Sequence, residues 1–113
     1  MKSCPRQPRI IAGRQLDKVV EGTKSGETVF VKFASAFCGA CQESKKSIAE
    51  ALSHTCADVV ELDADVAGDT ADAHHVENMP TLIAFRGGKA VARLEGAETP
   101  EKYKQFFDRY KRR

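Results

Sequence analysis

Two cysteines separated by two residues, Cys38 and Cys41, are the side chains best suited to covalent chemistry in this chain. An apolar run that starts at Val29 leads to them, and a helical pattern of apolar and polar residues begins where they lie. The positive end of a helix dipole favours a thiolate at the first sulfur. The second sulfur lies one turn further on, close enough to form a disulfide with the first. The spacing therefore predicts thiol–disulfide exchange.

The same spacing also forms half of many zinc sites. The further candidate ligands are His54, Cys56, His74 and His75. His54 and Cys56 lack a standard ligand spacing, the two adjacent histidines point to different helix faces, and there is no second C-x-x-C. We therefore expect no metal, and we interpret the histidines as exposed residues at helix ends.

The two remaining cysteines are Cys4 and Cys56. Cys56 continues the apolar stripe of the helix that starts near Cys41, which indicates a buried and inert thiol. Cys4 lies in a basic N-terminal segment that we expect to be mobile, where it is open to oxidation or to pairing with another molecule. Neither is predicted to be catalytic.

The length of 113 residues predicts one domain over residues 1–113, with residues 1–9 as a flexible N-terminal arm. Hydrophobic residues make up 42% and charged residues 30%, as in an ordinary globular protein with its own core. A net charge of +2 gives no reason to expect nucleic acid or a membrane as a partner. Residues 1–14 lack the apolar core of a secretory signal. We expect a monomer in the cytoplasm, with the mitochondrion as the alternative.

Hydrophobic periodicity predicts the element order β, α, β, α, β, α, β, β, α, an α/β fold in which helices cover both faces of a central mixed sheet. The predicted strands are 10–11, 29–33, 59–63, 81–85 and 90–94, and the predicted helices are 16–22, a segment from the cysteines onward, 67–76 and a segment from residue 100. Gly87 and Gly88 indicate the turn of an antiparallel hairpin. The cysteines then lie at the carboxyl end of a central strand, where open α/β sheets place their sites.

The last helix has the clearest boundaries. Thr99 is a good N-cap and Pro100 suits the first helical position. An aromatic stripe at helical spacing is predicted to pack on the sheet: Tyr103, Phe106, Phe107 and Tyr110. Lys111, Arg112 and Arg113 place positive charge at the negative end of the helix dipole.

Three motifs in this order resemble the thioredoxin family. They are the segment Phe37-Cys38-Gly39-Ala40-Cys41, similar to the usual Trp-Cys-Gly-Pro-Cys; Met79-Pro80-Thr81, similar to the cis-proline segment; and Gly96, similar to the glycine after the last strand. The resemblance runs from about residue 10 to residue 110 and implies a thioredoxin-like fold. It implies that Cys38 attacks a protein disulfide and that Cys41 resolves the mixed disulfide. It also implies no bound cofactor besides a redox-active Cys38–Cys41 disulfide, and an external thiol or flavoprotein reductase as electron donor.

The resemblance also assigns residues to substrate binding. These are Phe37, Gly39, Ala40, Met79, Pro80 and Gly96, with Ala97 beside them. Gly39 lets a substrate backbone approach, and the Met79–Pro80 bond is expected to be cis. The Met79 backbone would then be free to pair with an extended substrate segment.

Four residues depart from the family pattern, three of them in the segment from residue 34 to residue 40 and the fourth at position 32. Phe37 and Ala34 replace tryptophans, and Ala40 replaces the proline between the cysteines. Alanine supplies a backbone N–H that proline lacks, which further supports the Cys38 thiolate. We therefore expect a more oxidising potential than that of the usual motif.

Lys32 stands where the family commonly has a buried aspartate that helps to move the proton of the deeper cysteine. One hypothesis is structural, with Lys32 reaching water or pairing with a carboxylate such as Glu61 or Asp63. The other is functional, with a partly buried Lys32 stabilising a thiolate or acting as the base.

Two other functions remain open from the sequence. A thioredoxin-fold binding module without redox activity could follow from the changes at residues 32, 37 and 40, although the intact cysteines argue against it. A more oxidising disulfide isomerase or oxidase is the third hypothesis.

Overall fold

The computed structural model of the chain describes residues 4–111. The strands are β1 (Arg9–Ile10), β2 (Thr28–Ala34), β3 (Val59–Asp63), β4 (Thr81–Arg86) and β5 (Lys89–Glu95). The helices are α1 (Leu16–Gly22), α2 (Gly39–Leu52), α3 (Gly68–Ala73) and α4 (Pro100–Tyr110), with short 3-10 turns at Gly13–Gln15 and Thr23–Ser25. The predicted element order is confirmed. None of the described helices is long and apolar enough to cross a membrane.

The five strands form one mixed sheet in the order β1-β3-β2-β4-β5. Strand β2 is central, because it pairs in parallel with β3 and antiparallel with β4. All seven of its residues are buried, which explains why its sequence is apolar on both faces. This strand ends directly before the cysteine loop and therefore fixes where that loop begins.

Each face of the sheet carries its own apolar core. On one face, Val31, Phe33 and Val60 pack with Leu16 of α1 and Ala71 of α3. The opposite core holds residues of β2, β4, α2 and α4: Phe30, Ile48, Leu52, Leu82, Tyr103 and Phe107. The predicted helices on both faces of the sheet, and the docking of the aromatic stripe of α4, are thus confirmed.

The helix and hairpin boundaries follow the local signals. The hydroxyl of Thr99 accepts a hydrogen bond from the Lys102 N–H, and Pro100 opens α4. Gly87 and Gly88 have φ angles of 65° and 83°, so both adopt the left-handed conformation that glycine tolerates in a hairpin turn. Arg112 and Arg113 lie outside the described residues.

The expectation that Cys56 is a buried and inert thiol is wrong, and Cys4 is oxidised by pairing within the chain rather than with another molecule. Helix α2 ends at Leu52, so Cys56 lies beyond it and is exposed rather than buried as a free thiol. Cys4 forms an intramolecular disulfide with Cys56, with a Cα–Cα distance of 5.1 Å.

The sheet register explains this disulfide. Strands β1 and β3 are parallel, with Arg9 opposite Val60. The residues before β1 therefore run beside the residues before β3, and Cys4 meets Cys56 there. Of the predicted arm, residues 1–3 lie outside the described residues and Arg9 belongs to β1.

Phe107 offers a test of the core on the α4 side. Its ring is fully buried and lies edge-on to Phe30, with 4.9 Å between ring centroids. Phe107→Ala is expected to lower the free energy of unfolding by about 3–5 kcal/mol, since it removes apolar contacts and leaves a cavity. Phe37→Ala is the control, because the Phe37 ring is 93% exposed, and it should change stability by less than about 0.5 kcal/mol. Urea unfolding measures both, and equal effects would contradict the packing described.

Candidate active site

The cysteine loop connects the end of β2 to the start of α2. Cys38 is the N-cap of α2, with extended backbone angles (φ −109°, ψ 114°), and its Sγ accepts a hydrogen bond from the Cys41 N–H at 3.1 Å. An N-cap position surrounds a side chain with helix N–H groups that lack partners in the helix. The start of α2 therefore directs hydrogen-bond donors at the Cys38 sulfur.

Ser35 holds the loop in place. Its hydroxyl donates to the Asp65 carboxylate at 2.6 Å and accepts from the Phe37 N–H at 3.2 Å. These two bonds tie the residue before Cys38 to the loop after β3. Neither Ser35 nor Asp65 was predicted as part of the site, because nothing in the local sequence indicates that a serine pairs with a carboxylate 30 residues away.

The two cysteines differ in exposure. Cys38 is half-buried, whereas Cys41 is 4% exposed. Both are free thiols in the structure, which corresponds to the dithiol form of the pair. A substrate can therefore reach Cys38 and not Cys41.

The segments predicted to face the cysteines come together opposite them. The Met79–Pro80 bond is cis, as expected, and the Met79 carbonyl oxygen lies 3.7 Å from the Cys38 Sγ. Gly96 donates its N–H to the Pro80 carbonyl at 2.8 Å and has a φ angle of 83°. Tyr103 donates its hydroxyl hydrogen to the Gly96 carbonyl and so links this wall to α4.

An exposed rim surrounds Cys38. Phe37 is 93% exposed, and Gly39 and Ala40 are exposed as well. A side chain built at Gly39 would meet no atom within 4 Å, so this side of the rim is open. Met79 is half-buried and Pro80 is buried.

The environment of Cys41 disfavours its thiolate. Burial and a hydrogen bond with Cys38 raise the pKa of Cys41 to about 11. A backbone hydrogen bond from Ser35 and the positive charge of Lys32 act in the opposite direction. Cys41 is thus a protonated thiol near neutral pH until something removes its proton.

Lys32 is buried beneath the site, with 1% of its surface exposed. Its Nζ lies 3.5 Å from Glu61 Oε1, and the two residues are directly opposite in the β2–β3 register. The expectation that Lys32 pairs with a carboxylate is confirmed, and the carboxylate is Glu61. Because Lys32 also lowers the pKa of Cys41, its structural partner does not remove its electrostatic effect on the site.

A polar cleft of about 150 Å³ opens beside Cys41. Lys32, Glu61 and Asp63 line it together with Cys41, and Lys45 of α2 lies at its side. The Glu61 side chain is 24% exposed, so the ion pair contacts solvent through its carboxylate. This cleft gives the otherwise buried thiol a polar neighbourhood.

The residues considered as zinc ligands do not assemble. Across residues 4–111, no group of three or more His, Cys, Asp or Glu side chains is arranged to hold a metal ion. Cys56 is bonded to Cys4. The prediction of exposed histidines is wrong for His74, which is half-buried against the Phe33 and Phe85 rings, and burial lowers the pKa of His74.

A family model, sequence relatives and solved structures all relate this chain to thioredoxins. The family model described as Thioredoxin matches residues 9–109. Thioredoxin-1 of Saccharomyces cerevisiae is 39% identical over 70 residues, which cover 61% of this chain and 68% of that protein. The structure superposes on a mutant thioredoxin from Halobacterium salinarum NRC-1 with a TM-score of 0.83 and 26% identity, covering 100% of this chain and 98% of the other. For the thioredoxin NaTrxh of Nicotiana alata these values are 0.79 and 26%, with 97% and 99% covered.

The difference between the two thiols can be tested by alkylation. When the fully reduced protein is treated with iodoacetamide at about pH 7.5, we expect modification at Cys38 and almost none at Cys41, because Cys41 is buried and its pKa is raised to about 11. Reactivity of Cys41 should appear only as the pH approaches that value. Peptide mass mapping locates the label, and the same reaction in urea should label Cys41 as fully as Cys38. Equal labelling in the folded protein would contradict the geometry.

Proposed function

This chain belongs to the thioredoxin family, and we propose that it reduces protein disulfides through Cys38 and Cys41. The family supports thiol–disulfide oxidoreductase activity in general. The assignment of this activity to Cys38 and Cys41 rests on one observation. Cys38 is half-buried at the N-cap of α2, with its Sγ accepting the Cys41 N–H, while Cys41 lies protected one turn inside the helix.

In the proposed reaction, the Cys38 thiolate attacks one sulfur of a substrate disulfide. A mixed disulfide forms and the other substrate sulfur leaves as a thiolate, which takes up a proton. Cys41 then loses its proton and attacks the Cys38 Sγ, which releases the second substrate sulfur. Two electrons have moved, the substrate is a dithiol, and the protein holds a Cys38–Cys41 disulfide. An external thiol or a flavoprotein reductase would then reduce the Cys38–Cys41 disulfide back to two thiols.

We assign substrate binding to the rim and to the opposite wall. The exposed Phe37 ring offers an apolar surface next to Cys38, and the open space at Gly39 admits a substrate backbone. The Met79 backbone faces the sulfur, so an extended substrate segment would lie between Met79 and Phe37. Pro80 and Gly96 are assigned to shaping this wall, because they are hydrogen-bonded to each other behind it.

We further propose that Lys32 assists the resolving step. A cation buried beneath Cys41 favours the thiolate that must form when the mixed disulfide is resolved. Glu61 keeps this cation in place and reaches solvent, so the pair can remain charged in the interior. Ala40 contributes a backbone N–H at the first turn of α2, and we propose that it makes the couple more oxidising than the usual proline-containing motif.

The catalytic proposal is tested with two substitutions. Cys38→Ser should reduce insulin disulfides no faster than the dithiol reductant alone, because the attacking sulfur is missing. Cys41→Ser should retain the attack and accumulate covalent complexes with substrates, since nothing resolves the mixed disulfide. Insulin turbidity and non-reducing mass spectrometry measure the two outcomes. Full activity of Cys38→Ser, or no complex with Cys41→Ser, would reject the proposal in favour of a binding role.

The role of Lys32 is tested by Lys32→Met. The pKa of Cys41 should rise further, because the nearby positive charge is lost. At a fixed neutral pH, the fraction of Cys41 present as thiolate should fall roughly tenfold for each unit by which this pKa rises. Decay of a mixed disulfide with a fluorescent peptide measures the resolving rate, and titration of ¹³C-labelled cysteine measures the pKa. Lys45→Met is the matched control, because Lys45 lines the same cleft and is exposed. An unchanged rate and pKa in Lys32→Met would leave only the structural role.

A further inference from the structure

The Cys4–Cys56 disulfide lies outside the site described above, and both of its cysteines are exposed. We propose that this disulfide is a second thiol–disulfide exchange site, opened by an external dithiol, and that its opening releases residues 4–8 from the rest of the domain. Exposed disulfides are the ones that thiolates reach and reduce most readily.

The position of the disulfide makes it independent of Cys38 and Cys41 in the same molecule. Cys38 caps the first turn of α2, and Cys56 follows its last turn. The 14 residues of this helix span about 21 Å, which is far beyond any sulfur–sulfur contact. The dithiol that opens Cys4–Cys56 must therefore come from another molecule.

The surroundings of the disulfide favour its opening by a thiolate. A cleft of about 540 Å³ adjoins both cysteines and is lined also by Arg6 and His54. The attacking group and the leaving group are both thiolates, and a nearby guanidinium stabilises such anions. The cleft also provides room for the incoming sulfur.

The two sides of the disulfide are fixed very differently. On the Cys56 side, the neighbouring Thr55 donates to Asp108 and accepts from Lys111, which ties this loop to α4. On the Cys4 side, residues 5–8 form no hydrogen bond or ion pair within the described part of the chain. The next fixed residue is Arg9, which pairs with Asp58 at 3.0 Å and begins β1. Among the described residues, the disulfide is thus the one bond that holds residues 4–8 to the domain, so we expect its reduction to free them up to Arg9.

The chemistry is a two-electron exchange. A thiolate of the external dithiol attacks the Cys4 Sγ, the Cys4–Cys56 bond breaks, and Cys56 leaves as a thiolate in the cleft that Arg6 lines. The second sulfur of the dithiol then displaces Cys4 and closes its own disulfide. The reductant is oxidised, and Cys4 and Cys56 each end as a thiol after proton uptake.

The test uses the full chain with Cys38→Ser and Cys41→Ser, so that only Cys4 and Cys56 can react and the outcome does not depend on the proposed reductase activity. The protein is equilibrated in graded mixtures of reduced and oxidised dithiothreitol, alkylated and analysed by mass. Trypsin then reports the release of the segment through the rate of cleavage after Arg6. The matched control adds Cys4→Ser to the same background, which removes the disulfide permanently.

We expect the pair to convert between disulfide and dithiol without denaturant. Cleavage after Arg6 should become roughly tenfold faster or more in the reduced form, because the cleaved segment must leave the surface. The control should be cleaved at the faster rate under all conditions. The proposal is overturned if the pair stays as free thiols under oxidising conditions, if it resists reduction until the protein is unfolded, or if cleavage is equally fast in both forms.

Discussion

The burial of every residue of β2 is the constraint on which the rest of the structure depends. A strand that is covered on both faces needs helices on both sides of the sheet. Each of its fully buried large side chains, such as Phe30 or Phe33, stabilises the folded state by about 1.5–3 kcal/mol relative to an exposed one. The strand is also paired on both edges, so its end point is fixed in three dimensions. The cysteine loop begins at that end point. Its position relative to the wall formed by Pro80 and Gly96 is therefore a consequence of core packing and not of the loop alone.

The same constraint explains the ion pair beneath the site. A lysine in a fully buried strand would be strongly destabilising without a partner, since a charge leaves water at high cost. The parallel register of β2 and β3 places Glu61 directly beside Lys32, and Glu61 lies close enough to solvent to keep its own charge hydrated. The site thereby gains a fixed positive charge below Cys41. The ion pair that makes a buried lysine tolerable thus also places the charge that lowers the pKa of Cys41.

Local signals were sufficient to predict most of the fold. The residues of β3 lie where the sequence placed them, and the cap of α4 was evident from Thr99 and Pro100. The end of α2 before Cys56 is not predictable from the sequence, because the apolar spacing continues past Leu52 and no glycine or proline follows it there. Its bond to Cys4 joins residues 52 apart and follows from the β1–β3 register, which no local pattern contains. The partner of Lys32 could be narrowed to two carboxylates from the sequence, and only the register decided between them.

The exposed ring at position 37 has a practical consequence for spectroscopy. The chain contains no tryptophan, and its two tyrosines, Tyr103 and Tyr110, both belong to α4. Intrinsic fluorescence of the native protein therefore reports on one helix and carries little signal from the rim around Cys38. A tryptophan at position 37 would be the single indole of the protein, placed on an open surface beside the reactive sulfur. Such a protein would make each docking event and each change of oxidation state visible as a change in emission, without any attached dye.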